Sequence, residues 1–289
     1  LHEISHFVRE NGRWYYVDGD FPASSPMLSA ASPPAPTEPP LRILYQDEYL
    51  IAIDKPSGLL VHRSDIDRRE TRFAVQLLRD QIGRRVYPAH RLDRGTSGVL
   101  LFAFDSATAR QLATQFEARL VDKTYVAVVR GHPPESGLIA HPLTRRPDDY
   151  EYLPANATAE AQAALTRFRR LAVAELPYAV DRYPTSRYAL LELMPETGRR
   201  HQLRRHLKHL SHPIIGDATY GKGKHNRLFQ TLFGTHRMLL ACTHLRLAHP
   251  ADGSPLSIEA ELSGDYAIVL SHLGWNTESH RLPLRSPLI

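Results

Sequence analysis

Three short segments concentrate side chains able to carry acid–base or charge-stabilising chemistry. The first, HRLDRGTSG, runs from His90 to Gly98 and sets one carboxylate, Asp93, between Arg91 and Arg94. Thr96, Ser97 and Gly98 read as a turn leading into the apolar run VLLFAF, so Asp93 stands at the mouth of a buried strand, where an acid can face a cleft. The same residues also fit a surface ion pair beside a turn. The second, TGRRHQLRRHLKHLSHPIIGDATY, spans Thr197–Tyr220 and crowds Arg199, Arg200, Arg204, Arg205 and Lys208 onto one short helix and its entry. Like charges at that density repel unless a polyanion or a buried acid receives them. In the third, KTYVAVVRG, Tyr125 comes early on a strand, where it fits an ordinary core position as well as base stacking or proton transfer.

Other site chemistries fit less well. His201, His206, His209 and His212 do not follow the HExxH spacing and have no acid among them, so no metal is expected. The single cysteine, Cys242, permits neither an internal disulfide nor a thiolate zinc site and suits a reducing compartment. A formal net charge of +5 and a pI near 9.3, weighted toward arginine, favour a phosphate-bearing partner. No apolar run approaches the roughly 20 residues that span a bilayer. A cytoplasmic location, no membrane association and a monomer are the expectations.

These residues need elements to hold them. Residues 1–21 read as a short extension with two strands around Asn11-Gly12, and residues 22–40 as an extended linker with seven prolines. The chain begins with Leu and has Met27 inside the linker, which suggests an upstream remnant with the functional start near Met27. Residues 41–289 read as one domain. LRILYQDEYLIAIDKP forms a hairpin turning at Asp47-Glu48. Glu70–Ile82 is a helix with Phe73, Leu77 and Leu78 on one face, and Ser106 caps a helix through Leu120 that points Ala109, Ala113, Phe116 and Leu120 inward. Strands are expected at Val99–Phe104, Lys123–Val129, Tyr188–Leu193, Met238–Leu247 and Leu256–Leu262, and a helix at Arg200–Leu210. Such mixing, with few regular strand–helix–strand units, implies an α+β fold with a large, mainly antiparallel mixed sheet flanked by helices and loops.

Taken together and in order, the three segments resemble the RluA-type pseudouridine synthases. Their patterns are HRLDxxTSG, KxYxAxVxG, and TGRxHQ[IL]RxH followed by HPIxGDxxYG. DKPSGLLVHRSDIDRRE, RYPTSRY, HQLRRHLKHLSHPIIGD and the HNR at His225–Arg227 are similar to members of that family that modify uridine 65 in the T-stem region of certain tRNAs. The resemblance covers about Leu41 to Trp275. It implies a cofactor-independent isomerase that cleaves a uridine's glycosidic bond, rotates the base and forms a carbon–carbon bond, with tRNA as partner. It also implies Asp93 as the catalytic acid, Tyr125 as the base-stacking residue and Arg204 as the partner of Asp93. Arg91 and Arg94 would contact RNA or order the loop, His62 and Arg63 would line the entrance, Arg199 and His201 would bind substrate, and Leu240 would floor the base. Lys55-Pro56 matches a supporting KP motif. One departure stands out. RMLLACTHL carries Ala241 and Cys242 where the family usually has His-Ala, and activity is expected to survive it. The alternatives are a synthase acting on ribosomal RNA, a catalytically impaired RNA-binding protein, and a nucleoside or glycoside hydrolase, which would need a second carboxylate.

Overall fold

The computed structural model describes residues 4–10, 13–20, 39–62, 70–144 and 160–275. Met27, nearly all of the proline-rich linker and Arg63 lie outside the described residues. In chain order the strands are β1 (Ile4–Glu10), β2 (Arg13–Asp20), β3 (Arg42–Gln46), β4 (Leu50–Lys55), β5 (Tyr87–Pro88), β6 (Ser97–Ala103), β7 (Asp122–Arg130), β8 (Ser136–Ala140), β9 (Leu143–Thr144), β10 (Ala161–Gln162), β11 (Leu165–Leu176), β12 (Ser186–Pro195), β13 (Leu240–Ala248) and β14 (Pro255–Glu259). The helices are α1 (Ala74–Ile82), α2 (Ser106–Glu117), α3 (Gln202–His209), α4 (Gly223–Phe233) and α5 (Gly264–His272).

Ten strands form one sheet along the path β3-β4-β6-β13-β7-β12-β11-β8, with β14 on β13 and β5 on β6. Every pairing is antiparallel except that of β13 with β6, which matches Ala241 to Ser97 and Cys242 to Gly98. The α+β, mainly antiparallel expectation is borne out. β1 and β2 pair as a separate hairpin, Glu10 opposite Arg13, and the expected turn at Asn11-Gly12 lies outside the described residues. The β3–β4 turn is tied by Asp47, whose carboxylate accepts from the backbone N–H groups of Tyr49 and Leu50.

Central strands read as nearly unbroken apolar runs because both their faces are covered. On one face Val126, Val128, Tyr188, Leu190 and Ala241 pack with Phe229 of α4 and Tyr266 and Val269 of α5. On the other, Ala127, Val129, Leu191, Leu193 and Leu240 pack with Leu203 and Leu207 of α3. The first half of the sheet packs against Ala74, Val75 and Leu78 of α1 and Leu112 of α2.

Several boundaries move. The cap of α2 is Asp105, whose carboxylate accepts from the Thr108 N–H, rather than Ser106. That helix stops at Glu117, and Leu120, expected inward, is 68% exposed. Arg119, in the left-handed region at φ 61°, breaks the helical phase before Leu120. α1 begins at Ala74 because Phe73 is extended, though still buried. The turn after Asp93 closes earlier than expected, with the Thr96 N–H donating to the Asp93 carbonyl, and Ser97 already belongs to β6.

Candidate active site

Asp93 lies in the loop between β5 and β6, held from below by the segment that follows β4. Gly58 N–H donates to the Arg94 carbonyl at 2.8 Å and the Ser57 hydroxyl to the Gly95 carbonyl at 2.7 Å. Lys55, fully buried, donates from Nζ to the carbonyls of Leu59 (2.7 Å), Pro56 (2.9 Å) and Arg94 (3.3 Å). Just past the loop, Gly98 has φ +102°, and a Cβ there would sit 2.0 Å from the Cys242 carbonyl oxygen. Only glycine lets β6 meet β13 so closely.

Across the cleft, α3 delivers Arg204. Its Nη1 donates to Asp93 Oδ2 at 3.1 Å, while Nε and Nη2 donate to Asp217 Oδ2 and Oδ1 at 2.7 and 2.9 Å. Burial disfavours the Arg204 charge, but the two carboxylates outweigh it and raise its pKa. Asp217 has no side-chain exposure, and its Oδ1 also accepts from the N–H groups of Thr219 and Tyr220, both at 2.9 Å. Its pKa is lowered, since those donors and Arg204 overcome the opposing effect of burial. The Asp93 side chain stays 26% exposed. Its Oδ1 lies 3.9 Å from His201 Nε2, beyond hydrogen-bond reach, and no hydrogen bond among the described residues ends on it. His201 precedes α3 in the left-handed region (φ 55°), and its Nδ1 is 3.1 Å from the Tyr220 hydroxyl.

Tyr125 is half-buried on β7, opposite Cys242 of β13. Burial foremost, then Cys242 and the nearby Asp93 charge, push its pKa well above the ordinary value of 10.0, so it keeps its proton at neutral pH. Burial likewise pushes the Cys242 thiol up to about 12. Leu240, 2% exposed, shares a cluster with Tyr125, Leu203 and Met238.

Thus Asp93, Arg204 and His201 converge, with Tyr125 in electrostatic reach. Of the other expected site residues, two make contacts of their own. Arg94 turns back to the Gly58 carbonyl (3.1 Å) and Glu70 (2.9 Å), ordering the loop, and Arg199 Nε reaches the Ala163 carbonyl at 3.2 Å. Arg91 is exposed and His62 half-buried. The remaining histidines each have a local role. His206 contacts Thr166 Oγ1 and the His141 carbonyl, His209 stacks on His141, and His212 contacts the Arg130 carbonyl. Asp217 and Tyr220 were not among the expected site residues. The signal for Asp217 is an acid directly after a glycine in a turn, Gly216, where a Cβ would meet the Arg237 carbonyl oxygen at 1.9 Å.

The family model described as RNA pseudouridylate synthase matches residues 49–209, a stretch that contains Asp93, Tyr125 and Arg204. The chain belongs to the RNA pseudouridylate synthase family. It is accordingly an isomerase. A tRNA pseudouridine synthase C from Vibrio parahaemolyticus is 46% identical over 244 residues, covering 84% of this chain and 98% of that protein. The protein of the same name from Vibrio cholerae is 49% identical over 235 residues, covering 81% and 96%. Two human structures of this synthase family, RNA pseudouridylate synthase domain containing 1 and domain containing 4, superpose with TM-scores of 0.60 each at 26% and 28% identity. They cover 78% and 81% of this chain, and 86% and 93% of their own. Among the described residues no helix is long and apolar enough to cross a membrane.

Proposed function

We propose that this pseudouridine synthase acts on a uridine of tRNA, at position 65, in the cytoplasm and as a monomer, with Asp93 as its catalytic residue. The relatives carrying tRNA in their names, nearly as long as the region they match, support the substrate. The observation that carries the catalytic reading is a partly open carboxylate with one oxygen tied to a buried guanidinium and the other, among the described residues, accepting no hydrogen bond.

The chemistry follows from that asymmetry. The target base must leave its stack before the site can surround it. Tyr125, protonated, stacks on the extruded uracil, a contact worth roughly 1–3 kcal/mol, over a floor that includes Leu240. Asp93 Oδ1 is the reacting oxygen, while Oδ2 stays fixed on Arg204. Nothing is added to or lost from the base, so the reaction demands no cofactor. Exposed Arg91 contacts the RNA backbone.

Two alternatives lose ground on specific residues. A hydrolase needs a second carboxylate, and Asp217, without exposure and already accepting four hydrogen bonds, is not free to serve. Loss of catalysis through Ala241 is disfavoured because Ala241 packs with Val126, Val128 and Tyr266, on the sheet face opposite Leu240.

Asp93→Asn is expected to lower isomerisation by at least roughly 10³-fold while tRNA affinity stays within about twofold. Pseudouridine mapping of total RNA with and without the gene should show loss at tRNA position 65. Loss in ribosomal RNA instead, or normal turnover by Asp93→Asn, would overturn the reading.

A further inference from the structure

Resting on the assignment of Asp93 as the reacting carboxylate, we infer that Asp217 is a positioning residue for the isomerisation, fixing the guanidinium plane of Arg204 so that Nη1 alone is presented to Asp93. Arg204 has three nitrogens. Two of them, Nε and Nη2, are engaged side-on by the two oxygens of Asp217 at 2.7 and 2.9 Å. A two-point fork fixes direction as well as distance, which a single hydrogen bond does not.

The fork is itself anchored. Asp217 Oδ1 accepts from the Thr219 and Tyr220 N–H groups, the Asp217 carbonyl accepts from Gly221 N–H at 3.0 Å and Asn226 Nδ2 at 3.1 Å, and Asn226 Oδ1 takes the Gly216 N–H at 2.8 Å. The Tyr220 ring lies under the guanidinium, 5.0 Å from its carbon. Among the described residues, the groups that hydrogen-bond to or stack on the Arg204 guanidinium, Asp93 apart, therefore come from one turn. The contact with Asp93 is the longest of the three, at 3.1 Å, and the only one made to a partly exposed carboxylate.

Charge points the same way. One cation serves two anions, and the fully buried anion holds it by the shorter contacts. Asp93 then has a fixed neighbour without surrendering both oxygens to it. If Arg204 were free to turn its fork onto Asp93, Oδ1 would be occupied as well, and the group assigned to react would be capped.

The test uses the full chain with tRNA. Asp217→Asn keeps the shape but replaces one acceptor with a donor facing Arg204. Its kcat is expected to fall about 100-fold, since small misplacements at a reacting group cost about that much. KM and tRNA affinity should stay within about twofold and the thermal midpoint should show a folded protein. A folded Asp217→Asn with kcat near normal overturns the inference. A second measurement keeps Asp217 intact. Arg204→Ala is assayed with added guanidinium or ammonium ion. Guanidinium, which fits the fork, should restore at least tenfold more activity than ammonium, and equal rescue or none overturns the inference even if Asp217→Asn does not fold. Asp93→Asn run alongside separates the two levels. Turnover by that variant sinks the site assignment itself, whereas an inert Asp93→Asn beside a fully active Asp217→Asn sinks only the role given to Asp217.

Discussion

Arg204 and Lys55 both reach the loop that carries Asp93, and the fold treats their charges in opposite ways. Arg204 is set between two carboxylates, and its charge is reinforced. Lys55, wholly buried, donates to backbone carbonyls, and burial, with Arg237 nearby, pulls its pKa down from 10.5 to about 7. Carbonyl oxygens satisfy the hydrogens of an ammonium group but bring no countercharge, so they secure geometry without securing protonation. The lesson is a division of labour. The cation touching Asp93 is held charged, while the cation bracing the loop is held in place.

The largest effect is expected at Arg204. Arg204→Ala removes a cation hydrogen-bonded to two acids and is expected to lower kcat by roughly 10²–10³-fold, as measured in single turnover with saturating tRNA. Arg204→Lys should recover little of this, because an ammonium cannot reproduce the planar fork. A Lys variant with normal turnover would show that charge alone suffices.

Lys55→Met should act more mildly on catalysis, by roughly tenfold, through a loosened loop. Its signature is in stability against pH. Below pH 7 Lys55 is protonated in both folded and unfolded chains and the burial penalty is present in full. Between pH 7 and about 10.5 the unfolded chain binds the extra proton, so wild-type stability gains from this group as pH rises. Thermal unfolding of Lys55→Met from pH 6.5 to 9 should show a flatter rise than wild type, and parallel curves would contradict the low pKa.

Smaller effects sharpen the contrast between buried and exposed cations. Arg91→Ala should weaken tRNA binding a few-fold, and the slope of log affinity against log salt should fall by about one, with kcat unchanged at saturation. Least of all, Ala241→His should change activity by less than about twofold. Ala241 borders a cavity of about 320 Å³, on the face away from Leu240.

Residue types made part of this legible in advance. Arg204 and Asp93 stood out as members of charged motifs, yet only the fold brings residues 111 positions apart to 3.1 Å. Asp217 is not singled out by its motif because nothing in a string of residues reveals that both its oxygens face a guanidinium. Lys55 was visible as part of a KP motif, but its carbonyl cage was not, since backbone acceptors carry no sequence signature. β11 went unread because Arg167, Arg169 and Arg170 interrupt the apolar pattern, although Thr166 and Phe168 are buried. The strands β7 and β12 were easy because burial on both faces leaves an unbroken apolar run. In α4 the polar opening GKHNR hides a helix whose inward residues are His225 and Phe229.

The insertion of β13 between β6 and β7 has a consequence for biosynthesis. That strand is translated long after both its neighbours, so the nascent chain must carry the start of β6 and a whole side of β7 without their partner until Leu240–Ala248 has left the ribosome. Unpaired strand edges attract other chains. A product truncated at Gly234 would keep Asp93, Tyr125 and Arg204 and yet be unable to close its sheet, which makes the last fifth of the protein the gatekeeper of solubility as well as of activity.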